Sequence, residues 1–332
     1  MMRTCDFCWR LCEIKEGRRG FCGVRENRNG SIRTVTYGKV LAAAADPIEK
    51  KPFYHVMPGK KTLSAALFGC NFTCSFCQNH DLSQKDSPLF PAPWKDQEPT
   101  DTSPQQLVNK MIECGLSIMS YTYSDPVVWQ DYMLHTAELV KQADGINCMV
   151  TNGSFSPAAS QRIIPVIDAF NIDVKGDEAF YSRWCSGSLK PVMETVEKIC
   201  SAPGKILEAT TLLIEGIHDI EDVFQLGRQL REAGVQVWHL SRFFPHYRME
   251  DHRPTSERFL RDALQAAQSC GISYVYAGNS GNLEYAKTRC PSCGREIIGR
   301  RGYYVHVEQE LMDHLLLGLC IHCGEKIYGL FR

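Results

Sequence analysis

Between residues 62 and 277, short apolar runs alternate with segments of helical period. The runs at 62–68 (TLSAALF), 117–123 (SIMSYTY), 146–151 (INCMVT), 168–174 (DAFNIDV), 206–214 (ILEATTLLI), 235–241 (VQVWHLS) and 272–277 (ISYVYA) read as buried strands. The gaps predict helices near 104–115, 126–143, 156–164, 191–201, 220–233 and 256–270. Ser103-Pro104 and Asp125-Pro126 each offer a capping side chain followed by proline at the first helical position. This alternation predicts an α/β protein with parallel strands and crossover helices. Periodicity alone does not choose between a full or partial barrel and an open doubly wound sheet; both place active residues at strand C-terminal ends. The polar, proline-rich stretch 78–104 is expected to be a long connection over the site rather than an inter-domain linker.

With 332 residues and 44% hydrophobic content, the chain has core enough to fold without disulfides. Thirty-seven basic against 38 acidic residues leave a net charge of -1, which gives no general grip on a nucleic-acid backbone, so a nucleic-acid partner is not expected. No apolar run approaches the roughly 20 residues of a membrane span, and MMRTCDFCWR lacks the apolar stretch of a signal peptide. The expected location is cytoplasmic, with no membrane partner.

Sixteen cysteines then become the anomaly, because thiols kept reduced usually cluster for metal or catalysis. Cys70, Cys74 and Cys77 form C-x3-C-x2-C directly after the first strand, bringing three thiolates from one loop to a strand's C-terminal end. A cubane cluster held by three cysteines keeps one iron open to another ligand. The competing reading is a structural zinc site with His80 as fourth ligand. Cys114, Cys148, Cys185, Cys200 and Cys270 are scattered and read as small buried hydrophobes.

The triplet in GCNFTCSFCQN (69–79), with Phe76 as the aromatic of C-x3-C-x-aromatic-C, resembles the radical S-adenosylmethionine (SAM) enzymes. The resemblance extends through IEKKPFYHVMPG (48–59), TYSDP (122–126), FNIDVKG (170–176), LEATTLLIEG (207–216), HLSRFFPHYRM (239–249) and YVYAGN (274–279). Together these look like the AmmeMemoRadiSam-system radical SAM proteins, relatives of the pyruvate formate-lyase activating enzymes. The resemblance implies a partial (β/α)6 barrel and a [4Fe-4S] cluster on Cys70, Cys74 and Cys77. It also implies SAM on the open iron, reductively cleaved to a 5'-deoxyadenosyl radical that abstracts a substrate hydrogen. A flavodoxin- or ferredoxin-type electron donor and linkage to Memo-like and AMMECR-like proteins are implied as well.

Carried over by position, Tyr123, Ser124 and Asp125 of TYSDP stand where the family usually has Tyr-Asn-Glu, the segment that cradles the SAM amino group. Asp125 is one methylene shorter than the family's glutamate, and it also reads as a plain helix cap. Thr151 and Asn152 end the third strand. Asp173 and Lys175 fall on one face at the end of the fourth. They read as an ion pair, or, given the resemblance, Lys175 meets the SAM carboxylate or the substrate. His239 is placed in the site as a donor to cofactor or substrate, with Glu208 a weaker candidate.

CPSCG (290–294) and CIHCG (320–324) are two knuckles separated by 26 residues, so Cys290, Cys293, Cys320 and Cys323 predict a zinc ribbon or a rubredoxin-like iron site. Arg295, Arg300 and Arg301 nearby read as a solvated surface. Cys5, Cys8, Cys12 and Cys22 crowd 18 residues in a polar segment that needs a metal to fold, either zinc or a second iron–sulfur cluster. The expected organisation is an N-terminal four-cysteine metal module at 1–45, a radical SAM barrel at 46–284 and a zinc-ribbon-like module at 285–332. The expected function is a radical SAM enzyme of unidentified substrate. The alternatives are a glycyl-radical enzyme activase and a non-catalytic, nucleic-acid-associated metal module.

Overall fold

A computed structural model describes residues 1–87, 101–307, 313 and 315–331. The middle of the 78–104 connection lies outside the described residues. Its beginning folds as one helical turn, His80–Ser83.

One eight-stranded sheet organises the chain: β1 (Ala42–Pro47), β2 (Lys61–Ala66), β3 (Ile118–Tyr121), β4 (Ile146–Thr151), β5 (Ala169–Asp173), β6 (Ile206–Leu213), β7 (Val237–Arg242) and β8 (Tyr274–Gly278). The strands lie in sequence order, β1 antiparallel to β2 and every later pair parallel. Sequential parallel order with a helix after each strand is the winding of a barrel rather than of a doubly wound sheet, whose order reverses. Among the described residues β8 does not pair with β1, so the barrel is partial. Strand β1 runs across the expected boundary at residue 45.

The helices are α1 (Pro104–Glu113), α2 (Gln130–Gln142), α3 (Pro157–Ile163), α4 (Lys190–Cys200), α5 (Ile220–Glu232) and α6 (Glu257–Ser269). Ser103 starts α1 with a full capping box, its hydroxyl accepting from the Gln106 amide while Gln106 accepts from the Ser103 amide. Asp125 caps not α2 itself but a preceding 3-10 turn, Pro126–Trp129. Alternation along the strands then sorts the side chains. Leu207 and Ala209 of β6 pack with Leu226 and Leu230 of α5, while Ile206 joins Ile48, Phe53, Val56 and Met57, which plug the barrel's base.

Two small modules flank the barrel. The N-terminal one is a pair of two-stranded ribbons, Met2–Thr4 with Glu13–Lys15 and Arg25–Arg28 with Ser31–Thr34. The C-terminal one is a three-stranded sheet of Thr288–Arg289, Glu296–Arg301 and Tyr304–His306. Among the described residues no helix is long and apolar enough to cross a membrane.

Candidate active site

The cysteine loop begins at Gly69, whose φ of +111° is open to glycine and strained for other residues. A β-carbon there would stand 2.8 Å from Val24, so the same glycine lets the N-terminal module pack against the loop. The loop is tied down by the turn Tyr181–Cys185 beyond β5: the Thr73 amide donates to the Cys185 carbonyl (2.9 Å) and the Ser75 amide to that of Trp184 (3.0 Å). Phe72 meets Tyr181 edge-on and Phe76 lies against Phe180, fixing both aromatic residues of the loop.

The three thiols each have protein contacts. The Asn152 amide approaches Cys70 Sγ at 3.7 Å, Cys77 Sγ lies 3.2 Å from Ser83 Oγ, and Cys74 is hydrogen-bonded to Cys185. Burial pushes Cys70 and Cys77 above the ordinary thiol range, and for Cys74 the hydrogen bond to Cys185, with burial second, does the same. Left alone, these thiols stay protonated; bound to a cationic cluster they become thiolates.

Spacing separates a cluster from a single ion. With Zn–S bonds of about 2.3 Å, tetrahedral zinc needs its sulfurs less than about 4 Å apart. Among the described residues the one set of three or more ligand atoms gathered within 4.8 Å is Cys290, Cys293, Cys320 and Cys323. The central triplet is wider, as suits a cubane that takes each thiolate on a different iron. His80 is engaged elsewhere, its Nε2 3.3 Å from Asp81 and its ring stacked on Tyr247.

Around the loop the structure assembles part of the expected set. Asp125 is buried and fully engaged: it accepts from the amides of Val127 (3.0 Å) and Asn152 (2.8 Å) and from Thr151 Oγ1 (2.9 Å). It therefore ties the tops of β3 and β4 together. Asn152 also donates to Asn71 Oδ1 (2.8 Å), and Asn71 to Ser154 Oγ (2.8 Å). Lys175 Nζ pairs with Asp173 at 2.8 Å and lies 6.0 Å from the Phe76 ring. Burial opposes the Lys175 charge, but the Asp173 carboxylate beside it holds the ammonium protonated.

Three candidates point elsewhere. Ser124 donates to the Leu67 carbonyl and accepts from Trp129 Nε1, so its hydroxyl serves the loop's foundations. Tyr123, at a φ of +68°, directs its hydroxyl to Asp46 (2.8 Å) and accepts from Lys51 (2.8 Å). His239 is not brought to the triplet. It lies 2.6 Å from Glu208, whose other bonds come from the Tyr54 and His55 amides of the base plug, and its ring stacks on Tyr276. This correction has a plain cause: alternation told which face His239 occupies, and the Glu208 carboxylate, already bonded to the plug, holds it low in the barrel.

Asn71, Ser154, Cys185 and Lys51 were missed. Asn71 had a signal, since it sits within the cysteine loop; the others reach their partners only through the fold. Lys51 is buried against Asp46 (2.9 Å), and its desolvation lowers its pKa to about 8.

The C-terminal quartet is compact, with Cys290 and Cys323 sulfurs at 3.6 Å and those of Cys293 and Cys320 at 3.9 Å. The Arg295 amide donates to Cys293 and lowers its pKa to about 7. Four thiols in this arrangement fit one tetrahedral metal ion. Arg300 is not part of a basic surface: it is buried and donates to the Tyr54 carbonyl (2.6 Å) and Thr288 Oγ1 (2.7 Å).

A partial parallel barrel with three clustered cysteines after its first parallel strand defines the radical SAM class. Residues 66–227 match the family model of the radical SAM superfamily. Over 326 residues the chain is 38% identical to an uncharacterized protein of Methanocaldococcus jannaschii, covering 97% of this chain and 94% of that one. The fold is similar to that of SuiB of Streptococcus suis bound to S-adenosylmethionine, with a TM-score of 0.51 at 8% identity over 68% of this chain and 51% of SuiB. A domain of a pyruvate-formate lyase-activating enzyme from Bacteroides vulgatus also aligns, at a TM-score of 0.42 and 13% identity over 48% of this chain and 98% of that one. Residues 66–227 thus form a radical SAM domain, a fold that implies a [4Fe-4S] cluster and SAM.

Proposed function

We propose that this enzyme cleaves SAM reductively at the Cys70, Cys74 and Cys77 loop and uses the product to remove hydrogen from a substrate. The observation that carries the reading is the triplet itself: three thiols on one loop, spread wider than a single ion requires, with no fourth cysteine converging from the same loop. Cluster and SAM together supply the chemistry, a one-electron cleavage that yields a 5'-deoxyadenosyl radical.

The chain's own part is to hold and orient. The Tyr181–Cys185 turn fixes the loop backbone; Asp125, buried among its three donors, orients Thr151 and Asn152 around Cys70; Lys175 offers an ammonium to a carboxylate, that of SAM or of the substrate. Phe72 and Phe76, buried against Tyr181 and Phe180, keep the loop in shape. The reading extends to the AmmeMemoRadiSam group, with Memo-like and AMMECR-like proteins as partners, a flavodoxin- or ferredoxin-type donor, a cytoplasmic setting and zinc in the C-terminal quartet. Two extra metal modules favour a modifying enzyme over a minimal activase.

The test is electron paramagnetic resonance on anaerobically reconstituted, reduced protein with and without SAM, repeated on Cys74→Ala. A cubane signal that SAM perturbs, and whose SAM-sensitive part vanishes in the variant, is expected. A signal indifferent to SAM would sink the proposal.

A further inference from the structure

The N-terminal cysteines form a second centre. Cys5, Cys8, Cys12 and Cys22 line one cavity, together with Arg10 and Asn71. Cys5, Cys8 and Cys22 are buried, an environment hostile to free thiolates and typical of metal ligands. Yet they are not drawn within the 4.8 Å that the C-terminal quartet achieves.

Backbone amides point at these sulfurs as at a metal site: Arg10 donates to Cys8, and Val24 and Arg25 donate to Cys22. The Cys5 amide donates to the Cys12 carbonyl at 2.9 Å, closing the segment on itself. Arg10 and Arg25 line the same cavity; Arg25 is paired with Asp131 at 2.9 Å, which leaves the Arg10 guanidinium to offset negative charge on its contents. Four thiols lining one cavity but not drawn together, amide-supported and faced by the Arg10 cation, suit a multinuclear anionic group better than one small ion.

We infer that Cys5, Cys8, Cys12 and Cys22 hold a second iron–sulfur cluster of the cubane type, not a zinc ion. Asn71 links this centre to the first. Its side chain hydrogen-bonds Cys8, it is the chain neighbour of Cys70, and its carbonyl accepts from Arg10 Nε at 2.8 Å. Arg10 lines the cavity of the four cysteines and is bonded to the neighbour of Cys70, so one cation lies beside both sets. The path from Cys8 through the Asn71 side chain to Cys70 is one hydrogen bond and a short covalent run, suited to passing an electron from a low-potential one-electron donor inward.

The experiment removes the first centre and asks what remains. In a Cys70→Ala, Cys74→Ala, Cys77→Ala variant reconstituted anaerobically with iron and sulfide, about four acid-labile sulfides per chain and a SAM-indifferent cubane signal are expected. Sulfide is the decisive readout, because a rubredoxin-like iron in the C-terminal quartet brings none. Zinc without labile sulfide, or freely alkylated N-terminal thiols, overturns the inference. Should that variant not fold, Cys8→Ala with Cys22→Ala in the otherwise intact chain should halve the sulfide content and leave a SAM-sensitive signal; unchanged sulfide overturns it.

Discussion

The two flanking modules each carry four cysteines, and they differ in nearly everything else. The C-terminal four close to within 4.8 Å, with Cys293 and Cys323 exposed, on a module docked against the base plug. Tyr328 contributes its hydroxyl to Leu207 and its carbonyl to His55, and Leu330 bridges to Val56. The N-terminal four surround a gap at the opposite end, against the cysteine loop, and their module inserts Val24 and Cys22 into the main core. Ligand count therefore does not assign a metal's task; sulfur spacing and position along the barrel axis do. A compact set docked on the base plug suits a structural ion, whereas a spread set bonded to the neighbour of Cys70 suits the electron transfer proposed for it.

The comparison is most exposed at the compact set. Cys320→Ala removes a ligand from a closed tetrahedral site, so it should release the bound metal and cost more than about 5 kcal/mol, because metal binding there is folding energy. Metal analysis with thermal unfolding checks this, and unchanged stability would deny the module its structural role.

Acid provides the next effect in size. His55 is fully buried between Tyr276 and Tyr328, and burial lowers its pKa to about 4 from 6.5. The unfolded chain thus takes up a proton first, and stability falls as pH drops from 6.5 towards 4. The shift corresponds to about 3 kcal/mol. Denaturant melts across that range should show the slope, and His55→Asn should flatten it.

Arg300→Met tests the seam without touching any cysteine. It takes the donor from the buried Tyr54 carbonyl and from that of Ala286, while Thr288 keeps Tyr276 as partner, for a cost of about 2 kcal/mol. Denaturation that is unaltered by the substitution would mean that the seam carries little of the base module's stability.

How much of this was readable in advance depends on whether a feature is local. The parallel strands were legible because short, fully apolar runs set between helical periods fit little other than buried strands, and the triplet because its spacing is confined to one loop. Strand β1 was not: AAAADP has poor strand propensity, and only pairing with β2 makes it extended. The depth of His239 was hidden because its partner Glu208 and the plug at 53–57 come from distant sequence. Cys185 looked like a small hydrophobe, and only the folded turn brings its thiol to Cys74. Asp125 was legible as a cap, but its hold on Thr151 and Asn152 requires β3 and β4 to be neighbours.

The smallest effect probes how the N-terminal module is seated. Its most exposed ion pair to the barrel is Asp6 to Arg162 at 2.8 Å, and both side chains are more than a third exposed, so solvent screens the pair. Arg162→Ala should cost less than about 1 kcal/mol in a chemical melt and leave labile sulfide unchanged. The seating then rests on Val24 against Gly69, on the buried Arg25 paired with Asp131 (2.9 Å), and on the Trp9 amide and Gln130 side chain bonded across to the Ser154 and Phe7 carbonyls, besides what the four thiols bind. If Arg162→Ala instead lowered the sulfide content, the ion pair would be part of the cluster's support. The contrast between a metal that builds the base and a metal that feeds the mouth would then have to be redrawn around the surface contact rather than the cavity.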